Sequence, residues 1–288
     1  MPNPSHAHHE PPHRLLDVLV CPLCGGRLGP ADRALRCHRR HTFDVARHGY
    51  VSLLNGAMRP ASADTAPMVQ ARAAFLRAGH YAPLARVLAD LVTTFCPSDS
   101  TVLDAGAGTG YYLATVLDAL PAAVGLGLDT STYALRRAAR AHIRAKAATW
   151  DVWQPLPLRT HCVDLLLNVF APRNGPEFQR VLRPSGTLLT VTPAPQHLGE
   201  LRQHLGLLSV DPAKQARLQR TLDPYFRLDH AQALEYAVTL TAEDIDSLAG
   251  MGPTAHHILR DELRRRTAPL KPPLPVTASF RVSVYRPR

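Results

Sequence analysis

From residue 99 onward, short apolar runs alternate with segments whose apolar residues recur at helical spacing. This alternation is typical of βαβ units, in which parallel strands form a sheet covered by helices on both faces. Two later apolar runs, Arg227–Leu240 and Val276–Tyr285, predict a terminal strand pair with a helix near 242–249 between them. The pattern therefore predicts an α/β fold with a doubly wound sheet over residues 99–288. The runs that predict its first strands include TVLDAG, AAVGLGLD, VDLLLNVF and GTLLTVTP.

The chain before residue 99 has a different pattern, which predicts three further segments. Residues 1–13 are polar and rich in Pro and His, so they are expected to form a disordered tail. Residues 14–56 are rich in turns and hold three of the five Cys, which indicates a small separate domain. Residues 57–98 begin as a polar linker and continue as two predicted helices, the second with Pro83 in its first turn.

Composition excludes several classes of protein. With 45% hydrophobic residues, the chain has enough apolar material for a core and is not a fully disordered protein. It contains no run of the ~18 apolar residues that a membrane span needs, so no membrane partner is expected. The N-terminus lacks the basic and then apolar pattern of a secretory signal, and we expect a cytoplasmic protein.

The chain is basic, with 33 Lys and Arg against 23 Asp and Glu and a formal net charge of +10. Only Lys146, Lys214 and Lys271 are lysines, so 30 of the basic residues are Arg. A GC-rich coding sequence produces such an Arg excess without selection for function. The charge nevertheless favours polyanions such as nucleic acid, while an ordinary basic surface remains the alternative.

The first group of residues that indicates chemistry is the pattern C-x2-C-x12-C-x3-H, formed by Cys21, Cys24, Cys37 and His41. Three thiolates and an imidazole in two close pairs match the tetrahedral preference of zinc, and four protein ligands make the site structural. A domain of this size has too little core to fold alone, so the metal would supply stability. His38 is a rival for the fourth position, and a pair of free thiols is the alternative to a metal site.

The second group is a glycine-rich loop between a predicted strand and a predicted helix. It contains Asp104, Gly106, Gly108 and Gly110, and the next predicted strand ends at Asp129. Glycines let the backbone turn sharply and approach a ligand, and a carboxylate after the second strand can accept both hydroxyls of a ribose. The spacing favours S-adenosylmethionine, whose amino-acid end suits Asp104. A nicotinamide cofactor and a loop that binds nothing are the alternatives.

Two later segments fit the same predicted pocket. Asp151 follows the third predicted strand and could accept from the adenine amino group, or it could be a solvated loop acid. Asn168 ends the fourth predicted strand, beside the expected position of the reactive methyl, and Phe170 follows it. The box Asn/Asp-Pro-Pro-Tyr is absent, which makes methylation of an exocyclic amine less favoured.

Taken together, the motifs resemble the RlmA-type 23S rRNA guanine-N1 methyltransferases, including macrolide-resistance members of the TlrB kind. The resemblance covers nearly the whole chain after residue 14, through CPLCGGRL, CHRRHTFDVARHGYVSLL, MVQARAAFLRAGHYAPL, LDAGAGTGYY, GLDTS, NVFAP and LRPSGTLLTVTPAPQHLGEL. It implies a zinc-binding RNA-recognition domain joined to a Rossmann-like methyltransferase domain, and a homodimer with a basic cleft. It also implies zinc on the four residues named above and cofactor contacts from Tyr81, Thr109, Gly110, Asp129 and His197.

The resemblance predicts methyl transfer from S-adenosyl-L-methionine to N1 of a guanine in a hairpin loop of 23S rRNA near the peptide exit tunnel, with resistance to tylosin-type macrolides. Such a base must be unpaired or flipped out, and Phe170 or a Trp would stack on it. No residue is a clear general base; His197, a pocket Asp and solvent are candidates. The alternatives are a small-molecule methyltransferase of secondary metabolism and a non-catalytic zinc RNA-binding protein.

Overall fold

The computed structural model describes residues 13–54, 63–205, 220–252 and 260–288. Nearly all of the predicted tail and the first part of the predicted linker therefore lie outside the described residues. The helices are α1 His13–Val18, α2 Ala66–Arg77, α3 Ala82–Phe95, α4 Tyr111–Ala119, α5 Thr132–Ala138, α6 Gly175–Val181, α7 Gly199–Leu205, α8 Ala242–Met251 and α9 Arg260–Thr267. No helix among the described residues is long and apolar enough to cross a membrane.

A three-stranded antiparallel sheet in the order β1-β2-β3 forms the N-terminal module, residues 14–54. Its strands are β1 Leu28–Ala31, β2 Ala34–Cys37 and β3 Thr42–Asp44. They are short, with three or four residues each, and each buries only one or two side chains. The module therefore has little apolar material of its own.

A seven-stranded sheet in the order β6-β5-β4-β7-β8-β10-β9 forms the centre of the rest of the chain. Its strands are β4 Thr101–Ala105, β5 Val124–Asp129, β6 Ala145–Thr149, β7 Val163–Val169, β8 Leu182–Pro193, β9 Phe226–Leu240 and β10 Leu274–Pro287. Strands β4 to β8 are parallel, and β10 runs antiparallel to both β8 and β9. The predicted α/β class and the late strand pair are confirmed, and the order reverses at β4, where a doubly wound sheet binds ligands.

The strands of the large sheet bury both of their faces. In β4, Val102 packs in a core with α3 and α4, whereas the adjacent Leu103 packs in a core on the other face. Helix α3 contributes Leu84 and Leu88 to the first core, and both side chains are fully buried. A sheet covered on both faces holds its carboxyl edge in a fixed position, and this edge is where the glycine-rich loop begins.

The N-terminal module packs directly on the large sheet. Its residues Leu19 and Phe43 belong to the same apolar core as Leu126 of β5. Val51 pairs with edge strand β6: its amide donates to the carbonyl of Ala147 at 2.9 Å, and its carbonyl accepts from the amide of Thr149 at 2.9 Å. The module is therefore fixed against the sheet by a shared core and by backbone hydrogen bonds.

Candidate functional site

The donor atoms of Cys21, Cys24, Cys37 and His41 converge in the N-terminal module. All four atoms lie within 4.8 Å of one another, and the cysteines form no disulfide. The Sγ atoms of Cys21 and Cys37 lie 3.4 and 3.5 Å from Nδ1 of His41, and those of Cys24 and Cys37 lie 3.7 Å apart. Tetrahedral zinc, with Zn–S bonds of about 2.3 Å, would separate two sulfurs by about 3.8 Å. The cluster therefore has the donor set and the spacing that zinc requires.

Two tight turns build this cluster. In the first, the amide of Gly25 donates to the carbonyl of Cys21 at 2.8 Å, and Gly25 adopts a φ of +70°. In the second, the amide of Arg40 donates to the carbonyl of Cys37 at 2.9 Å. Burial raises the pKa of Cys21 to about 11, so its thiolate needs a cation beside it. A divalent metal would provide that charge.

The geometry favours His41 over His38 as the fourth ligand. His38 is exposed and is not one of the four residues whose donor atoms converge. Its ring lies instead against Gly26, where an added Cβ would be 2.6 Å from the ring carbon Cε1. His38 thus covers the turn after the first cysteine pair and lies outside the cluster.

The glycine-rich loop connects β4 to α4 and needs its glycines for both conformation and space. Gly106, Gly108 and Gly110 have φ values of +89°, +54° and +78°, which side chains rarely adopt. A Cβ on Gly106 would be 2.4 Å from Cβ of Ala171, and one on Gly110 would be 2.9 Å from Cα of Ala138. The loop is therefore packed between the segment after β7 and helix α5.

Asp129, at the end of β5, joins this loop to the start of α5. One carboxylate oxygen accepts the amide of Gly108 and the other accepts the amide of Ser131, each at 2.8 Å. Burial raises the pKa of Asp129, and these two amides oppose the rise. Each carboxylate oxygen keeps a further lone pair that can accept a hydrogen bond. Asp129 can thus hold the loop and still bind a pair of ribose hydroxyls.

Asp104 is a buried acid without a hydrogen-bond donor among the described residues. Its side chain lies at the end of β4 and is only 2% exposed. Burial, and then repulsion from Asp129, raises the pKa of Asp104 to about 8. A buried carboxylate of this kind is satisfied by a cation, such as the ammonium group of an amino acid. The site therefore fits a ligand with both a ribose and an amino-acid end.

Tyr81 and His197 form a hydrogen-bonded pair beside the same edge of the sheet. The amide of Ser279 donates to Nδ1 of His197 at 3.1 Å, and Nε2 lies 3.1 Å from the Tyr81 hydroxyl oxygen. Burial, and then the charge of Arg202, lowers the pKa of His197 to about 4, so the ring is neutral. Because Nδ1 accepts, the proton is on Nε2 and is donated to Tyr81. The hydroxyl proton of Tyr81 is left for another acceptor.

Asn168 ties the ends of β4 and β7 together. Its amide nitrogen donates to the carbonyls of Ala105 at 3.1 Å and Pro172 at 2.8 Å. Its amide oxygen is buried and has no hydrogen-bond partner among the residues that the structure describes. Asn168 therefore fixes the segment that follows β7 and leaves one acceptor unused there.

Phe170 is an exposed aromatic side chain on a constrained backbone. Its φ is +55°, in the left-handed region, and its side chain is 44% exposed. Its ring centroid lies 5.5 Å from that of Phe280 and 6.2 Å from that of Tyr81. Residues held in this backbone region cluster at functional sites. The arrangement provides a flat apolar surface next to the Tyr81–His197 pair.

Comparison with known proteins gives the family. The model of the RlmA N-terminal zinc ribbon matches residues 19–56. The "putative 23S rRNA (guanine-N(1)-)-methyltransferase" of Micromonospora griseorubida is 50% identical over 291 residues, which cover 95% of this chain and 98% of that one. The "23S rRNA (guanine(748)-N(1))-methyltransferase" of Streptomyces fradiae is 48% identical over 271 residues, 93% and 96% of the two chains. The chain belongs to this 23S rRNA guanine-N1 methyltransferase family.

A solved structure supports the fold. The crystal structure of MccD protein has a TM-score of 0.50 and 14% identity, and the match covers 72% of this chain and 98% of that one. At this identity the likeness concerns the fold alone. The family resemblance predicted from the motifs is confirmed, and so is an α/β methyltransferase fold with an N-terminal zinc ribbon.

In this family member, most of the predicted cofactor residues lie at the carboxyl edge of β4, β5 and β7. Thr109 lies between two of the loop glycines and is partly buried. Asp151 lies after β6, where a carboxylate oxygen accepts the amide of Trp153 at 3.0 Å, so this acid at least orders its own turn. The residues gathered at this edge are Asp104, Gly106, Gly108, Thr109, Gly110, Asp129 and Asn168, with the Tyr81–His197 pair next to Phe170.

Sequence reasoning missed Asp64 and Arg72, which lie over the glycine-rich loop. Arg72 of α2 pairs with Asp64 at 2.8 Å, and its Nη1 would be 3.4 Å from a Cβ on Gly108. The carbonyl of Asp64 accepts the hydroxyl of Ser131 at 2.6 Å. No local pattern marks these residues, because their role depends on how α2 packs against the loop.

Proposed function

We propose that this protein transfers the methyl group of S-adenosyl-L-methionine to N1 of a guanine in 23S rRNA. The observation that carries the proposal is the unpaired buried carboxylate of Asp104 beside the glycine-rich loop. It occurs in a chain that is about half identical, over nearly its whole length, to relatives named for this reaction. We further propose that the guanine lies in a hairpin loop near the peptide exit tunnel, and that its methylation confers resistance to tylosin-type macrolides.

Different pocket residues would bind different parts of the cofactor. Asp129 would accept the ribose hydroxyls, Asp104 would hold the ammonium group, and the hydroxyl proton left on Tyr81 would be donated to a cofactor oxygen. The bound cofactor would supply a methyl group on a positively charged sulfur. The aromatic face of Phe170 would stack on the target base and hold its N1 in line with that methyl group.

The N1 proton of guanine must leave during the reaction, and His197 is poorly suited to take it. Its Nδ1 lone pair is used by the amide of Ser279, and the pKa of the ring is about 4. A base with so low a pKa gives little driving force for proton transfer near neutral pH. His197 is therefore assigned as a positioning residue for Tyr81, and the N1 proton leaves to solvent or to an Asp carboxylate of the pocket.

In the N-terminal module, Cys21, Cys24, Cys37 and His41 would bind one structural zinc ion. With four protein ligands the ion has no open position for a substrate, so its contribution is to the fold of the module. We propose that the module takes part in RNA recognition, that the enzyme works in the cytoplasm, and that it is a homodimer. Light scattering of the purified protein tests the last point.

The test of the function is methyl transfer to RNA. Purified protein with labelled S-adenosylmethionine and an in vitro transcript of 23S rRNA should modify one guanine at N1, which mass spectrometry of RNA fragments can map. Asp104→Ala should abolish the label. Label on small acceptors with none on rRNA would contradict the proposal. Expression in a macrolide-sensitive bacterium should raise the inhibitory concentration of tylosin, and the Asp104→Ala variant should not.

A further inference from the structure

A cleft of about 410 Å³ lies between the N-terminal module and two helices of the larger domain, and its lining includes none of the residues assigned to the cofactor. One side chain from the module, three residues of α2 and one face of α5 with the turn after it form the walls. We call it the arginine cleft. Its lining residues are His48, Ala66, Val69, Gln70, Tyr133, Arg136, Arg137 and Arg140.

Within the described ranges, no carboxylate pairs with the cationic groups at this cleft. The Nε of Arg47 donates to Nε2 of His48 at 3.2 Å, and Nη2 of Arg140 lies 3.2 Å from Nδ1 of the same ring. A neutral imidazole accepts at only one nitrogen, so one of these arginines lacks an acceptor there. Burial and the charges of Arg47, Arg136 and Arg140 keep the pKa of His48 below its usual value.

None of the described residues that line the arginine cleft is an acid. Within the part of the chain that the structure describes, Arg136, Arg137 and Arg140 form no ion pair with a carboxylate; the pairs found elsewhere involve arginines such as Arg72 and Arg180. Several like charges held together without a counter-charge are costly to assemble. An anionic ligand in the cleft would remove that cost.

The arginines lie next to an exposed aromatic ring. The guanidinium carbon of Arg136 lies 5.0 Å from the ring centroid of Tyr133, and the Tyr133 side chain is 44% exposed. Grooves that bind single-stranded RNA combine such elements, because arginines bind phosphates and aromatic rings stack on bases. An acidic peptide would use the charges but has no need of the ring.

The walls of the arginine cleft also hold the cofactor pocket. Helix α5 starts just after Ser131, whose amide donates to Asp129, and its inner side chains Leu135 and Ala138 are buried. Helix α2 carries Arg72, which lies against the loop at Gly108. Groups bound on the outer face of these helices are therefore held in fixed relation to the cofactor residues on the inner side.

We propose that the arginine cleft binds the phosphate backbone of a single-stranded part of the substrate RNA and positions the target loop. This inference rests on the proposed function, since it takes RNA to be the substrate. In this arrangement Arg136 and Arg140 bind phosphates, and Tyr133 stacks on a neighbouring base. These side chains position the RNA and take no part in the methyl transfer, which occurs in the cofactor pocket.

The experiment compares the double variant Arg136→Gln/Arg140→Gln with the control Arg227→Gln/Arg265→Gln, which removes the same charge from exposed arginines of β9 and α9. The probe is a 23S rRNA transcript, with KM, kcat and the salt dependence of RNA binding as readouts. The cleft variant should raise KM for RNA about tenfold and reduce the slope of log K against log salt by about 1.5. In both variants kcat and the affinity for S-adenosylmethionine should be unchanged.

Equal KM and equal salt slopes in the two double variants would overturn the proposal. So would a defect seen with assembled ribosomal subunits but not with naked transcript, because that result would indicate a protein partner. The salt dependence of RNA binding is measured without turnover. An absence of methylation by the wild-type protein would therefore count against the proposed function alone. If the cleft variant unfolds, the proposal is tested instead by ultraviolet crosslinking of a 4-thiouridine transcript to the wild-type protein. We expect crosslinks at Tyr133, and their absence would contradict the proposal.

Discussion

The N-terminal module and the seven-stranded sheet achieve a fixed structure by different means. In β4 of the large sheet all five side chains are buried, whereas β3 of the module buries one of its three. The large domain is stabilised by apolar burial on two faces. The module combines a four-residue Cys/His cluster with apolar contacts to one face of the large sheet. The difference indicates that the two proposed cofactors have different roles. Zinc would stabilise the fold of the module, whereas S-adenosylmethionine would bind to a large domain that is already folded.

The largest expected effect is loss of the metal cluster. Cys24→Ser should remove zinc and unfold the module, because structural zinc contributes about 10–16 kcal/mol in small zinc domains. The sheet keeps its own core, so calorimetry should still detect S-adenosylmethionine binding while proteolysis cuts the module. Cys96→Ser, outside the cluster, is the control and should retain zinc. Full zinc content in Cys24→Ser would contradict the assignment.

Next in size is the effect of a side chain in the glycine-rich loop. Gly106→Ala forces a φ of +89° and places a Cβ 2.4 Å from that of Ala171, which should cost about 3 kcal/mol and reduce cofactor affinity about 100-fold or more. Gly29→Ala in strand β1 of the module is the matched control, since its Cβ meets no atom within 4 Å. Thermal melts and calorimetry measure both effects. Similar losses in the two variants would show that the loop is not specially constrained.

A smaller effect concerns protons at Asp104. Its pKa of about 8 means that the acid is largely protonated at pH 6, so binding an ammonium group must release a proton. Cofactor affinity should therefore rise with pH, by about 25-fold between pH 6 and pH 7.5. Without ligand, the stability of the fold should instead fall as pH rises from about 4 to about 8, because in this range the unfolded chain releases the Asp104 proton that the folded state retains.

Calorimetry in buffers of different ionisation enthalpy measures the released proton directly. Asp104→Asn keeps the size of the side chain and should bind the cofactor weakly, with little dependence on pH. Persistence of the wild-type pH dependence in Asp104→Asn would assign the proton to another group, such as Asp129, whose pKa is also raised by burial.

The same contrast explains how much the sequence could predict. The strands of the large sheet carry local signals, since apolar runs such as VDLLLNVF mark β7, and the spacing of Cys21, Cys24, Cys37 and His41 marks the cluster. Contacts between residues that are far apart in the sequence carry no such local signal. Arg72 meets the loop at Gly108 only because α2 packs there, and the sequence showed a basic chain without showing where the arginines gather.

The Tyr81–His197 pair lies between features that a local pattern predicts and features that only the tertiary structure shows. The two residues are 116 positions apart, and only the family resemblance predicts that they contact the cofactor. Hydrogen bonds add what neither motif nor family supplied: because Ser279 fixes the histidine tautomer, Tyr81 is left as a donor. The docking of the module through Leu19 and Val51 is likewise a tertiary feature that no local pattern predicts.

The smallest predicted effect tests that donor. Tyr81→Phe removes one hydroxyl from the pocket and should weaken cofactor binding about three- to tenfold, since a neutral hydrogen bond contributes about 0.5–1.5 kcal/mol. Tyr236→Phe is the matched control: this tyrosine also contacts Phe280, but its hydroxyl donates to the carbonyl of His80 at 2.9 Å and is therefore already used. Calorimetry should find weaker binding for the first variant alone. Equal affinities would mean that the Tyr81 hydroxyl serves His197 only, and the pair would then have a structural role, as proposed for the Cys/His cluster.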